Sequence, residues 1–377
     1  MILQITNDFS GSTLYRNLFL SLDSLDIDQI VYHPLRDESK IGMNSISFSR
    51  SRSKLIYRPI LNKFSDRILY RRKIRKISND IEKQVDLAAV SIMHAHTWFS
   101  DGGAAYLLNK KYSIPYIVAV RSSDIVYFYK YLLWEREFAR EILKNAERVV
   151  FISESYHRIF RTRMVDKWLD FAKIEVIPNG IDEFWIKNRI SDIDLLARRM
   201  VRAPVRILYV GQLIKRKNAD KLAEAIRLLN RDGISVELQL VGDFSKSDFN
   251  ELAFSEHDNV KVLGQIKDKN KLLEIYRQND YFAMPSVNET FGLVYVEALT
   301  QGLPILFTKN DGIDGFYADI GESVEKPVTV DDIVLKLKKM IGHEPYRYDL
   351  PLICENHDWI NIANRYKAIY HREKKTF

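Results

Sequence analysis

The chain reads as an α/β protein made of two doubly wound domains, each with a parallel sheet, facing a central cleft. Three observations point there. Strand-sized apolar runs alternate with longer amphipathic stretches from end to end. The runs lack strict period-two alternation, as strands covered on both faces do. The alternation breaks once, just after Ile177, in a chain of 377 residues, a length that suits two ordinary domains.

Taken in order, the strand candidates of the first half are residues 2–6, 29–32, 91–95, 116–120, 148–152 and 173–177. Pro178-Asn179-Gly180 then supplies a strong turn, and a polar, charged stretch follows as far as Pro204. The second half offers strands at 205–210, 235–241, 260–263, 281–284 and 304–307, with helical patterns over 217–230, 269–278 and 291–301. The expected organisation is therefore a first domain over 1–180, a linker over 181–204 and a second domain over 205–355. A last helix over 356–377 is free to pack back on the first domain. Doubly wound sheets bind ligands outside the carboxyl ends of their strands.

Composition narrows the function classes. With 46% hydrophobic and 28% charged residues the chain is no disordered tail. No run approaches the roughly 18 apolar residues of a membrane span. The start, MILQITND, has no signal-peptide pattern, and Cys354 is the single cysteine, so an internal disulfide and a cysteine metal cluster are excluded. A cytoplasmic protein is expected. The charge is uneven: residues 50–76 hold eleven Lys or Arg against Asp66 alone, so this segment is +10 in a chain that totals +7. The remainder is net acidic, unlike a general nucleic-acid binder.

Three motifs carry chemistry. In Pro285-Ser286-Val287-Asn288-Glu289-Thr290-Phe291-Gly292-Leu293, a strand passes through a loop into a helix. Such a helix N-terminus offers free amides and a positive dipole end to an anion, and Gly292 allows close backbone approach. Glu289 precedes the helix and can reach hydroxyls beyond a phosphate. Glu297 lies amid apolar neighbours and needs a donor as partner. The second motif, Val210-Gly211-Gln212-Leu213-Ile214-Lys215-Arg216-Lys217-Asn218, sets Arg216 and Lys217 at another strand's carboxyl edge, where they can neutralise a diphosphate. The third, Val176-Ile177-Pro178-Asn179-Gly180-Ile181-Asp182, is a turn and hinge before it is anything catalytic.

These segments, with Leu240-Val241-Gly242-Asp243, resemble in order and spacing the retaining glycosyltransferases of family 4, which have the GT-B fold. The pair Glu289 and Glu297 matches the family's Glu-x7-Glu signature. The resemblance implies that Glu289 contacts the donor sugar and Glu297 the nucleotide ribose. It implies that amides at Phe291, Gly292 and Leu293 hold the diphosphate with Lys217 and Arg216. Gln212 stands where many relatives have Arg, and Asn218 replaces a common Gly. The loop 7–12 keeps only Gly11 of a usual glycine pair to approach the donor phosphate. The first domain is then the acceptor domain. His-x-His at His94 and His96 matches the family's acceptor-side motif, which implies that His96 reaches the donor sugar and acts catalytically while His94 is structural. A zinc site there is a poorer reading, on the expectation that the two rings leave opposite faces of the strand. Asp124 is a candidate acceptor contact or a helix cap.

The expected activity is retaining, metal-independent transfer from a UDP- or GDP-linked sugar to a glycan or lipid-linked acceptor, in bacterial surface polysaccharide synthesis. No cofactor is expected beyond the nucleotide-sugar substrate. An epimerase of the same fold and a non-catalytic partner subunit are the alternatives. Within 50–76, Tyr57, Leu61, Phe64 and Ile68 recur at helical spacing among cations. This predicts a basic amphipathic helix touching an anionic membrane surface, rather than a nucleic-acid site.

Overall fold

The computed structural model describes residues 1–163, 169–191, 203–243, 254, 258–343 and 345–372. The chain divides into two compact units, Met1–Gly180 with Asn356–Phe377, and Ile181–Glu355. The helices are α1 (Thr13–Ser24), α2 (Ser65–Ile68), α3 (Tyr70–Gln84), α4 (Ser100–Tyr112), α5 (Arg136–Asn145), α6 (Glu154–Arg163) and α7 (Glu183–Lys187). They continue with α8 (Ala219–Arg231), α9 (Lys269–Gln278), α10 (Leu293–Thr300), α11 (Val330–Gly342), α12 (Leu350–His357) and α13 (Trp359–Arg372).

Among the described residues, the first unit holds a seven-stranded parallel sheet in the order β3-β2-β1-β4-β5-β6-β7. The strands are β1 (Ile2–Ile5), β2 (Gln29–Pro34), β3 (Lys54–Arg58), β4 (Ile92–Ala95), β5 (Tyr116–Val120), β6 (Arg148–Phe151) and β7 (Ile174–Val176). Side chains alternate across it, as the pleat requires. Ile2, Val31, Ile92 and Ile117 meet Phe19 and Leu22 of α1 and Ile362, Tyr366 and Ile369 of α13 on one face. Leu3, Tyr32, Met93 and Val118 meet Ile74 and Ile77 of α3, Leu108 of α4 and Ile142 of α5 on the other. Burial on both faces is why the central strands are mostly apolar, as in Tyr116–Val120.

The second unit holds a parallel sheet in the order β10-β9-β8-β11-β12-β13. Its strands are β8 (Val205–Val210), β9 (Val236–Val241), β10 (Val260–Gly264), β11 (Tyr281–Ala283), β12 (Ile305–Thr308) and β13 (Gly321–Val324). The order reverses between β8 and β11, so the loops that leave these neighbours carry their chains in opposite directions. A topological switch point arises there, the usual ligand position of such sheets.

Three expectations need correction. The basic segment is not one amphipathic helix: Lys54–Arg58 forms edge strand β3 on β2, and α2 and α3 follow separately. Edge strands are rich in charge, so no apolar run marks them. Residues 181–191 are no free linker, because Ile181, Trp185 and Ile190 enter the second unit's core; residues 192–202 lie outside the described set. Strand β13, a short polar edge, had no sequence signal.

Candidate functional site

The loops after β8 and β11 meet at the second unit's switch point. Residues Lys215–Lys217 form a single 3-10 turn, and Asn218 follows in the left-handed region at φ 53°. Asn accepts that conformation better than most side chains. Its amide donates to the carbonyl of Pro285 at 2.7 Å, and the Val287 amide donates to the carbonyl of Arg216 at 2.8 Å. The Asn218 side chain therefore ties the two loops together.

Glu289 lies at the centre. Its Oε2 pairs with Lys217 Nζ and stands 3.5 Å from Arg216 Nη1. The Lys217 and Glu289 side chains are only 10% and 16% exposed, so the pair sits where water screens it weakly. The two cations and the acid that the motifs singled out are thus brought together. Gln212 is exposed and does not join them.

A residue that the sequence reading missed fixes this loop. Asp311, after β12, is 2% exposed; its carboxylate accepts the amides of Asn288 at 2.6 Å and Glu289 at 2.8 Å, and pairs with Lys326 at 2.8 Å. Nothing local to 285–293 announces a partner more than twenty residues away.

Gly292 caps α10 at φ 83°, and no side chain caps the helix. A Cβ at this position would lie 2.5 Å from the Tyr295 ring, so glycine is demanded by conformation and by space together. The Tyr295 amide donates to the Gly292 carbonyl at 2.9 Å, the amides of Leu293 and Val294 precede that first bond, and the dipole's positive end opens beside Lys217 and Glu289. The Phe291 side chain is buried against Phe316. Glu297, one turn on, is half-buried. It finds the donor it needs in the Tyr276 hydroxyl at 3.3 Å, and burial pushes its carboxyl up to about 7. Asp182 caps α7 through the Phe184 amide at 3.0 Å and pairs with Lys269, which gives it a structural task. Asn179 presents its carbonyl to His357 at 2.7 Å within the first unit.

In the first unit His96 and Asp124 are both buried and hydrogen-bonded within the fold. His96 is 1% exposed, its Nε2 lies 2.9 Å from Gln4 Oε1, and its ring packs against Tyr15 and Phe19. Burial holds it well below the ordinary imidazole range, so the ring is neutral, with Nε2 engaged by Gln4. His94 is equally buried and meets the Tyr370 hydroxyl at 2.8 Å. The rings lie 3.9 Å apart, on one side of β4, because residues two apart in a strand share a face; the opposite-face expectation was mistaken. No group of three or more His, Cys, Asp or Glu among the described residues is placed to hold a metal ion.

Asp124, 1% exposed, accepts the amides of Trp98, Phe99 and Arg121 at 3.0–3.2 Å. It staples two loops together. Next to Gly11 lies the carboxylate of the exposed Asp8, a side chain free to move.

Comparisons with known proteins agree with this architecture. The model of Glycosyltransferase Family 4 matches residues 17–183, and that of Glycosyl transferases group 1 matches residues 201–351. An uncharacterised glycosyltransferase of Methanocaldococcus jannaschii, MJ1178, is 25% identical over 299 residues, covering 78% of this chain and 76% of its own. A lipopolysaccharide 1,2-N-acetylglucosaminetransferase of Salmonella typhimurium is 23% identical over 248 residues, covering 61% of this chain and 63% of its own. The structure of Anabaena Alr3699/HepE with UDP and glucose superposes with a TM-score of 0.63 at 16% identity, covering 98% of this chain and 99% of that one. With two parallel-sheet, Rossmann-like units of the GT-B class and family matches in both, the chain belongs to the group 1 glycosyltransferases of family 4.

Proposed function

We propose that this glycosyltransferase moves a hexosyl group, with retention of configuration, from a nucleotide diphosphate sugar to a glycan or lipid-linked acceptor. The observation that carries the reading is the Lys217–Glu289–Arg216 cluster beside the N-terminus of α10. With no diphosphate bound, Glu289 pairs with both cations and leaves the cluster one positive charge in excess. An arriving diphosphate competes for Lys217, Arg216 and the amides of Gly292 and Leu293, which releases Glu289 to accept hydrogen bonds from sugar hydroxyls. Glu297, poised near neutrality, accepts from the ribose.

The step itself is electrostatic. The bond from the anomeric carbon to the phosphate oxygen breaks while Lys217 and the helix terminus stabilise the charge that develops on the diphosphate. The acceptor hydroxyl forms its new bond on the same face, and its proton passes to the leaving phosphate oxygen. No side chain is assigned as nucleophile. UDP is the favoured nucleotide, because the similar HepE fold binds UDP and glucose. The likeness to a lipopolysaccharide transferase supports an acceptor in surface polysaccharide synthesis.

Contact with an anionic membrane remains part of the reading, relocated from a helix to a rim. Phe64 and Ile68 are 80% and 77% exposed beside Lys63, Arg67, Arg71 and Arg72. No helix among the described residues is long and apolar enough to cross a membrane.

The test is a panel of UDP- and GDP-sugars with the purified chain. Transfer or slow donor hydrolysis, abolished by Glu289→Ala with the fold intact, supports the proposal. An isomerised donor would point to an epimerase instead, and no nucleotide binding to a non-catalytic subunit.

A further inference from the structure

In the first unit, parallel neighbours β1 and β2 deliver the loops 7–11 and 35–40 to one sheet edge. Between these loops and residues 63–67 lies a cavity of about 360 Å³. Arg36, Lys40, Lys63 and Arg67 line it, against the carboxylates of Asp8 and Asp37. Asp37 is already engaged, by Lys63 at 3.0 Å and by Ser39. Arg36, Lys40 and Arg67 have no carboxylate within ion-pair distance among the described residues.

Arg36 is the informative member. It is half-buried, and its Nε is shielded from water with no hydrogen-bond partner, an expensive condition for a guanidinium. Burial, and then Arg67, holds it below the usual guanidinium range. Lys73 underneath is pushed down to about 8 by burial and by Arg36. Three cations thus crowd one region and repel one another. His33 adds no charge: it is held neutral by burial, with Nδ1 2.7 Å from the Thr6 carbonyl and Nε2 2.9 Å from Ser10 Oγ. Those bonds fix the loop that carries Ser10. The rim is apolar on one side, where Phe64 lines the cavity and Ile68 and Leu69 follow, exposed.

The geometry points to a phosphate-binding subsite here, which takes a phosphate mono- or diester group of the acceptor. A phosphate brings two or three anionic oxygens to Arg36, Lys40 and Arg67, each bond charge-assisted, and Arg36 can bind as a fork. The apolar rim suits whatever aliphatic group the phosphate carries. The inference rests on the proposed glycosyl transfer for the word acceptor, but the subsite can be tested without activity.

The experiment is calorimetric titration of the full chain with glycerol 3-phosphate and, separately, with UDP. Phosphatidylcholine vesicles with and without phosphatidic acid form a third arm. The variants are Arg36→Met, the exposed Lys40→Met as a safeguard should Arg36→Met fail to fold, and Lys54→Met as an equal charge change outside the cavity. The expected result is saturable binding of glycerol 3-phosphate, weakened about tenfold or more by Arg36→Met and by Lys40→Met. Lys54→Met and the UDP affinity should stay at wild type. Binding of phosphatidic acid vesicles alone, with the same variant sensitivity, supports the subsite and names a lipid source; binding of glycerol 3-phosphate supports it with a soluble source. Binding of neither, or an equal loss in Lys54→Met, overturns the subsite. A parallel loss of UDP affinity in Lys40→Met overturns it in favour of the donor's diphosphate. UDP binding that persists while glycerol 3-phosphate fails leaves the donor site of the second unit standing.

Discussion

Glu289→Gln should separate nucleotide binding from transfer. In the ligand-free chain Glu289 occupies Lys217 and lies 3.5 Å from Arg216, both of which the diphosphate must win. At an effective dielectric of about 20, a unit pair at about 4 Å gains roughly 4 kcal/mol before desolvation. Hydrogen bonds to charged groups are worth about 1.5–3 kcal/mol net. Removing the charge while Asp311 still holds the residue 289 amide relieves the diphosphate of that competition. UDP, which has no sugar to reward Glu289, should therefore bind about 10–100-fold more tightly to Glu289→Gln than to wild type. Transfer should fall steeply, because the sugar loses its strongest acceptor. Isothermal titration with UDP and a product assay read the two effects. UDP affinity that is unchanged or weaker would refute the competition.

Further expectations concern the same unit. Asp311→Ala leaves the amides of Asn288 and Glu289 without their acceptor, at a cost of about 2–6 kcal/mol by denaturant unfolding, and should weaken UDP binding. Wild-type stability there would remove Asp311 as the loop's anchor. Gly292→Ala should cost at least ~1–2 kcal/mol for the left-handed backbone alone, with more for the Tyr295 contact, read as a lowered Tm. Glu297 has its folded pKa raised from 4.5 to about 7, so the folded chain binds this proton more readily than the unfolded one. Its contribution is present below pH 4.5 and declines as pH rises to about 7. Glu297→Gln should therefore match wild type near pH 4, gain relative stability across that window and hold the gain above it. A flat difference between the two unfolding profiles would count against the raised pKa.

The central strands were legible because burial on both faces leaves an apolar run, as in Tyr116–Val120 and in residues 207–210 of β8. The edges were not. KLIYR and GESV, which form β3 and β13, carry the charge and polarity that keep edges soluble, and Tyr57 of KLIYR shares a helical spacing with Leu61, Phe64 and Ile68 beyond it. At the site, Lys217, Arg216, Glu289 and Gly292 were legible because phosphate chemistry fixes their types next to strand ends. Asp311 was not, because its partners lie far away in sequence and a lone Asp has no pattern. The partners of His96 and Asp124 were hidden for the same reason: Gln4 and the amides of Trp98 and Phe99 reach them only in the packed sheet.

The measurement that bears most directly on diphosphate capture is a crystal structure of the chain with UDP. The expected result is a β-phosphate within hydrogen-bonding distance of Lys217 Nζ and the amides of Gly292 and Leu293, with Glu289 swung off Lys217. Nucleotide bound elsewhere, with the Lys217–Glu289 pair intact, would contradict it.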